Sequence, residues 1–309
     1  MKNQAVIGHL AMLTFSALVA FSFTFGRSVA QDIDPEVITG LRFVVAFLAL
    51  AFLAWLRNMQ VSFLWRNLWR WMLIGGLMAS YFITMFEALA VTTALSTSAV
   101  FTLAPLIAAL IGWALLGVTT NIAALSALAL GGIGALWVIF GADINRVLRF
   151  EVGYGETLFF FGTIAHAAVP AVNRQLAPGV SPLQASLGTV FGALVVTAIY
   201  AFPSTIETDF GALPLRVWLV VLYLGLATTA LTFFLIQVAI PRLQPEKVMA
   251  YTYLVPSWVL LHGFVQGIAQ PALVLFGVGL TLVALFLLLM QDVLDQEAPR
   301  LQRPSAADL

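Results

Sequence analysis

The sequence predicts an all-α integral membrane protein: ten transmembrane helices, arranged as two inverted five-helix repeats around a central cavity. Three observations carry that prediction. Of 309 residues, 61% are apolar and 9% charged, and the mean hydropathy is +1.01; a soluble domain is about 45–50% apolar and about 25% charged. Long apolar windows alternate with short polar or Gly/Pro breaks, and at about 20 residues per spanning helix the chain has room for ten. The two halves also match at a nearly fixed offset, and five is an odd number of crossings, so the second copy must lie upside down in the bilayer.

The expected spans are 5–27, 36–56, 69–90, 94–115, 121–141, 154–175, 182–202, 215–240, 246–267 and 271–291. They divide into a first repeat over 1–148 and a second over 149–291. A disordered cytoplasmic tail is expected over 292–309, where Pro299 and Pro304 stand among charges.

The first span resembles a cleavable signal peptide, with Lys2 before an apolar run and Ser28-Val29-Ala30 after it. Residues 26–42, however, have counterparts 147 positions later: Gly26-Arg27 with Asn173-Arg174, Pro35 with Pro182, Thr39 with Ser186. A segment with a partner in mid-chain reads as a retained first helix. The third and eighth spans open on Trp71 and Trp218 at the same offset.

The fourth and ninth spans are the most distinctive. Ala94 to Pro105 and Pro245 to Pro256 each open on a short polar entry, share an alanine (Ala99, Ala250) and end in Leu-x-Pro, now 151 residues apart. A net four residues, about one helical turn, have been gained. Each proline falls inside an apolar helix and frees a carbonyl one turn back, which in lipid must find a protein partner or line a wet cavity. Pro105 and Pro256 are therefore expected to be hinges. The fifth and tenth spans share glycine-rich cores, Leu130-Gly131-Gly132-Ile133-Gly134 and Phe276-Gly277-Val278-Gly279-Leu280, as helices do where backbones approach closely in lipid.

Basic residues orient the bundle. One side receives Lys2, Arg57, Arg66, Arg70, Arg174, Arg242, Lys247, Arg300 and Arg303; the other receives Arg27, Arg146, Arg149 and Arg216. The excess predicts cytoplasmic N- and C-termini in a cell inner membrane. Trp55, Trp65, Trp69 and Trp71 are expected at an interface.

Several chemistries are excluded. Net charge is zero, which leaves no footprint for nucleic acid. There is no cysteine, and His9, His166 and His262 stand far apart, so no metal site is expected. No Gly-Lys-Ser/Thr loop is present, so neither ATP nor any other cofactor is expected.

His166 is the most informative polar residue. With Thr163, Pro170 and Asn173 it forms one polar stripe along the sixth span. An ionisable group at that depth faces a cavity or a partner; the plainer alternative is a neutral imidazole bonded to a neighbouring helix. Tyr81, Phe101, Thr102, Tyr253, Trp258, Thr232, Gln237, Asn173 and Ser16 join it as candidate substrate-binding groups. Flat rings with a few hydrogen-bonding groups suit a small amphipathic or aromatic solute, while packing and interfacial belts account for most other rings. Arg42 and Glu87, at similar depth, are candidates for a paired gate, with snorkelling to the headgroups as the alternative.

Arg42-Phe43, Glu87-Ala88-Leu89, Ala94 to Pro105 and the glycine-rich fifth span, in this order and duplicated, resemble the EamA-type drug/metabolite transporters. The resemblance covers residues 5 to about 290. It implies ten helices in two inverted repeats, a central cavity and movement of small metabolites, often outward; members export amino acids, or move purines, sugars or cationic drugs. Many members place Gly-Glu after the fourth helix, whereas this chain has Leu116-Gly117-Val118-Thr119-Thr120-Asn121. The role of that glutamate does not transfer.

The function expected is a secondary transporter that exports small metabolites, amino acids or related amphipathic solutes first, by alternating access within the lipid bilayer. An importer or facilitator of another metabolite class is the alternative. An intramembrane enzyme would need a compact catalytic set that is not found, and a receptor or scaffold fits poorly with inverted repeats. Proton coupling and a homodimer are left open.

Overall fold

The computed structural model describes residues 2–149, 151–268 and 270–301, and the side chains of 4–149, 151–268 and 270–290. Ten helices in it are long and apolar enough to cross a membrane: α1 (Gln4–Val29), α2 (Pro35–Leu56), α3 (Leu68–Val91), α4 (Ala94–Leu116), α5 (Ile122–Ile139), α6 (Tyr154–Leu176), α7 (Pro182–Tyr200), α8 (Leu215–Ala239), α9 (Pro245–Val265) and α10 (Ala272–Met290). Every end lies within two residues of its expected place. The backbone of α10 runs on as helix to Leu301; the rest of the expected tail, 302–309, lies outside the described residues.

Consecutive helices alternate in direction. One end of the bundle, the linker end, carries segment 140–153, which joins the halves. The other, the terminal end, carries Gln4 and Met290. Helix α1 starts at the terminal end and α6 at the linker end, so the second five-helix unit is inverted.

Packing follows the inversion. Helix α1 lies on α8 and α6 on α3, so each repeat's first helix rests on the other's third. The broken helices α4 and α9 run antiparallel, each half of one against the opposite half of the other. Helix α2 pairs with α7, and α5 with α10. Local signals fix several starts: Asn121 Oδ1 accepts from Ala124 N at 2.7 Å, and Ser181 with Gln184 forms a capping box.

Two pairs of glycines explain the tightest contacts. A Cβ on Gly75 would lie 2.2 Å from the Ala193 nitrogen, and one on Gly192 would lie 1.8 Å from the Trp71 carbonyl oxygen, so α3 and α7 touch backbone to backbone. Gly134 and Gly277 do the same for α5 and α10, each facing the other's carbonyl oxygen. Lipid tails are as apolar as leucine, so close packing of this kind replaces hydrophobic drive in holding helices together.

Both interior prolines sit at real interruptions. In α4 the helix stops at Phe101 and restarts at Ala104, with Pro105 in the first turn of the second piece. In α9 a 3₁₀ turn over Tyr251–Leu254 precedes Val255–Val265, which opens with Pro256. Tight bonds bridge the α4 break, from Thr102 N to Ala99 O at 3.0 Å and from Leu103 N to Val100 O at 3.1 Å. In α9, Thr281 Oγ1 donates to the Tyr253 carbonyl at 3.1 Å, giving it a partner from α10.

The outer surface is apolar, with Leu48, Phe52, Ile199 and Phe286 exposed. Trp55, Trp65 and Trp69 stand out at the terminal end as an aromatic belt would. Trp71 corrects the expectation that grouped it with them. It is 2% exposed and lies against Gly188 of α7, where a Cβ would come within 2.4 Å of its ring.

Candidate functional site

The polar stripe of α6 turns inward. Thr163, His166, Pro170 and Asn173 are all buried. The imidazole of His166 lies 4.4 Å from the ring of Tyr81 on α3, 4.9 Å from Phe101 on α4 and 6.2 Å from Phe15 on α1, centroid to centroid. Phe159 and Phe23 close the group, each 5.8 Å from the other and Phe159 5.5 Å from Tyr81. Helices α1, α3 and α4 of the first repeat and α6 of the second thus converge on one aromatic cluster.

Polar atoms of this cluster and of the stripe beyond it lack partners. His166 Nδ1, the Tyr81 hydroxyl and Asn173 Nδ2 are buried with no hydrogen bond among the described residues. Burying such a group without a bond costs about 1–3 kcal/mol on mutational scales. Pro170, four residues after His166, also removes the amide that would bond the His166 carbonyl. The plainer alternative, a histidine bonded to a neighbouring helix, requires a bond that His166 Nδ1 does not make among the described residues.

Of the other candidates, Ser16 and Trp258 are brought together: Trp258 Nε1 donates to Ser16 Oγ at 3.3 Å, tying α1 to α9. Thr102 and Thr232 are buried and donate to carbonyls of their own helices, Ala99 at 2.6 Å and Thr228 at 2.9 Å. Gln237 is buried toward the terminal end of α8. Tyr253 stands apart. Its hydroxyl donates to the Leu128 carbonyl at 3.1 Å and its ring lies against Gly131, in a separate cluster of α5, α9 and α10.

Arg42 and Glu87 are not paired. Arg42 is fully buried. Its Nε donates to Thr229 Oγ1 at 2.9 Å, and Nη2 donates to the Thr228 carbonyl at 3.1 Å and to Thr228 Oγ1 at 2.8 Å. Its Cζ lies 3.7 Å from the Phe82 ring centroid. Glu87 is half-buried, and the charge that acts on it is Glu36. Arg42 therefore does not snorkel, and among the described residues it meets no carboxylate. A desolvated cation–π contact is worth about 2 kcal/mol, against several kcal/mol for burying the ion.

The threonines that hold Arg42 lie in a feature the sequence reading missed. Helix α8 contains a π turn over Leu226–Leu231, and Thr229 Oγ1 donates five residues back to the Leu224 carbonyl at 2.8 Å. Single π turns concentrate at functional sites. The adjacent polar pair in an otherwise apolar helix was the available signal. Two further contacts were not foreseen. Tyr251 Oη and His9 Nδ1 lie 3.0 Å apart at the terminal end of α1 and α9. At the linker end of α4 and α6, Glu156 Oε1 accepts from Thr92 Oγ1 and Ser96 Oγ, both at 2.5 Å.

A cavity of about 370 Å³ opens toward the linker end between α1, α4 and α9, lined by Thr24, Arg27, Thr93, Leu260 and Gln266 among others. A smaller one, about 150 Å³, lies at the terminal end beside Asn121, Gln244 and Glu246.

The profile of the EamA-like transporter family matches residues 6–140 and, a second time, residues 153–290. The chain belongs to the EamA-like transporter family. As an EamA-like transporter it is a multi-pass membrane protein built from two copies of the family unit. The uncharacterized transporter YyaM of Bacillus subtilis (strain 168) is 22% identical over 293 residues, covering 93% of this chain and 94% of that protein. A solved crystal structure 18% identical in sequence covers 98% of this chain and 100% of its own, with a TM-score of 0.71. That likeness shows a shared fold. In place of the Gly-Glu that many family members carry after the fourth helix, Gly117 ends α4 at φ 65, a left-handed turn that glycine closes without strain.

Proposed function

We propose that this EamA-like transporter exports small amphipathic metabolites, amino acids first among them, by alternating access across a cell inner membrane. The observation that carries the reading is the set of rings around His166, with the unpartnered Nδ1 and the Tyr81 hydroxyl inside it. Flat apolar walls with a few unmet polar atoms are what a solute with an apolar body and a polar head requires. Residues of α1, α3, α4 and α6 supply that surface, so a solute held there touches both repeats. The broken helices α4 and α9 give each repeat one segment able to change angle at Pro105 or Pro256. The excess of basic side chains at the terminal end supports cytoplasmic termini.

The test is efflux from liposomes that contain only this protein, preloaded with a mixed metabolite pool and read by mass spectrometry at two pH values. Saturable release of a defined subset is expected, and a pH gradient that changes its rate would identify proton coupling. Release no faster than from protein-free liposomes would sink the reading. Single cysteines in the 57–67 and 201–214 loops would check orientation, since the chain has no cysteine of its own; only the second should react with an impermeant reagent outside intact cells.

A further inference from the structure

Among the described residues Arg42 is the one fully buried cation, and the binding surface around His166 does not include it. It lies on α2 where the repeats meet: the residues that hold it, Thr228 and Thr229, stand 147 positions after Tyr81 and Phe82, and the Phe82 ring, with Phe86 at 5.8 Å, flanks its guanidinium. One repeat thus presents a pair of hydroxyls and the other the Phe82 ring, which stands at the place on α3 equivalent to Thr229 on α8. The charge itself is not duplicated. The position 147 residues after Arg42 is Thr189, a neutral residue whose hydroxyl is buried on α7. A group needed only to fasten the repeats would be expected in both.

The bonds Arg42 makes account for Nε and Nη2. Nη1 is buried and has no partner among the described residues. From Arg42 a continuous line of contacts leads to the candidate site: Cζ to the Phe82 ring at 3.7 Å, Phe82 to Tyr81 at 4.7 Å, Tyr81 to His166 at 4.4 Å. The Tyr81 hydroxyl is also buried and unpartnered among the described residues.

We propose that Arg42 is the docking group for a carboxylate on the transported solute, with Nη1 and the Tyr81 hydroxyl donating to its oxygens. The assignment deepens the transport reading and rests on it. A carboxylate fits the inventory: one positive charge, the N–H groups of a single nitrogen and one phenol. A phosphate dianion would leave a net charge and several acceptor oxygens unmet among phenylalanines. The threonine cradle at the π turn engages Nε and Nη2 and leaves Nη1 for a solute.

The experiment uses the full chain in liposomes preloaded with matched sets of compounds: carboxylic acids such as phenylalanine, leucine and their hydroxy-acid and keto-acid analogues, with the corresponding amides and decarboxylated amines. Wild-type protein is expected to release acids at least tenfold faster than their matched amides and amines. Arg42→Gln is expected to abolish that preference, and Arg42→Lys, which keeps the charge without the fork, to retain part of it. Each variant is first checked for monodispersity and thermal unfolding in detergent. Should Arg42→Gln fail to fold, the wild-type comparison of acids with amides decides alone. Release of amides or amines at the same rate as the acids overturns the Arg42 assignment and leaves the transport reading standing. Release of nothing beyond protein-free liposomes overturns the transport reading and the assignment with it.

Discussion

Arg27 and Arg174 make the same kind of bond at opposite ends of the molecule. Arg27, closing α1, donates through Nη1 to the carbonyls of Leu89 and Ala90 at 2.6 and 3.2 Å, where α3 ends. Arg174, closing α6, donates through Nη2 to the carbonyls of Ile240 and Leu243, where α8 ends. Each clamps the first and third helices of its own repeat and satisfies carbonyls that a helix terminus leaves open. Because the repeats are inverted, one clamp guards the linker end and the other the terminal end.

Removing a clamp should therefore loosen one end only. Ala94 lines the linker-end cavity and Ala124 the terminal-end one. In the cysteine-free chain, Arg27→Ala should speed maleimide labelling of Ala94→Cys several-fold and leave Ala124→Cys unchanged; Arg174→Ala should do the reverse. A hydrogen bond to a charged group contributes about 1.5–3 kcal/mol, enough for an effect of roughly tenfold or more. Equal changes at both ends would show that the clamps act on overall stability instead.

Backbone contact between helices makes a sharper stability prediction. Gly192→Ala places a methyl group 1.8 Å from the Trp71 carbonyl oxygen, so α3 and α7 must separate. Overpacking of this kind costs about 1–3 kcal/mol, seen as a lower unfolding temperature in detergent. Gly279→Ala, with nothing within 4 Å, is the control and should be neutral or slightly stabilising.

Tyr253 and His166 should separate stability from transport. Tyr253→Phe deletes the bond to the Leu128 carbonyl and should cost about 1 kcal/mol of stability without altering which solutes are released. His166→Leu removes an unpartnered buried polar atom, so stability should hold or rise, while release of the preferred solute falls at least tenfold. A His166→Leu protein with the wild-type release profile would remove the imidazole from the binding surface.

Pro105→Ala and Pro256→Ala test the breaks. Restoring the missing amide should favour continuous helix across 101–104 and 251–255 and slow transport with little loss of stability, since alanine is the better helix former. Flux measured beside thermal unfolding distinguishes this from simple damage.

Much of the architecture could be read from the residues because lipid permits few solutions: each span had to be helical and long enough. The net gain of four residues between repeats was also visible, but not its place. Helix α3 has 24 residues and α8 has 25, the extra one absorbed by the π turn; the following turns, 92–93 and 240–244, account for the other three. Insertion of one residue leaves no compositional mark, so the π turn stayed hidden although Thr228-Thr229 hinted at it. Arg42 and Glu87 share a depth yet not a face, and depth was all that counting along two helices supplied. Trp71 was misjudged for the opposite reason: proximity to Trp65 and Trp69 in sequence outweighed helical phase, which turns it toward Gly188.

The pairing of α5 with α10 carries a practical consequence. Those helices meet through Gly134 and Gly277 with no spare space, Trp137 Nε1 donates across the seam to the Leu273 carbonyl at 2.8 Å, and their main other neighbours are α4 and α9. Spectroscopic labels on their lipid-facing sides would report one tightly joined pair, a common reference against which the displacement of the other rods could be gauged.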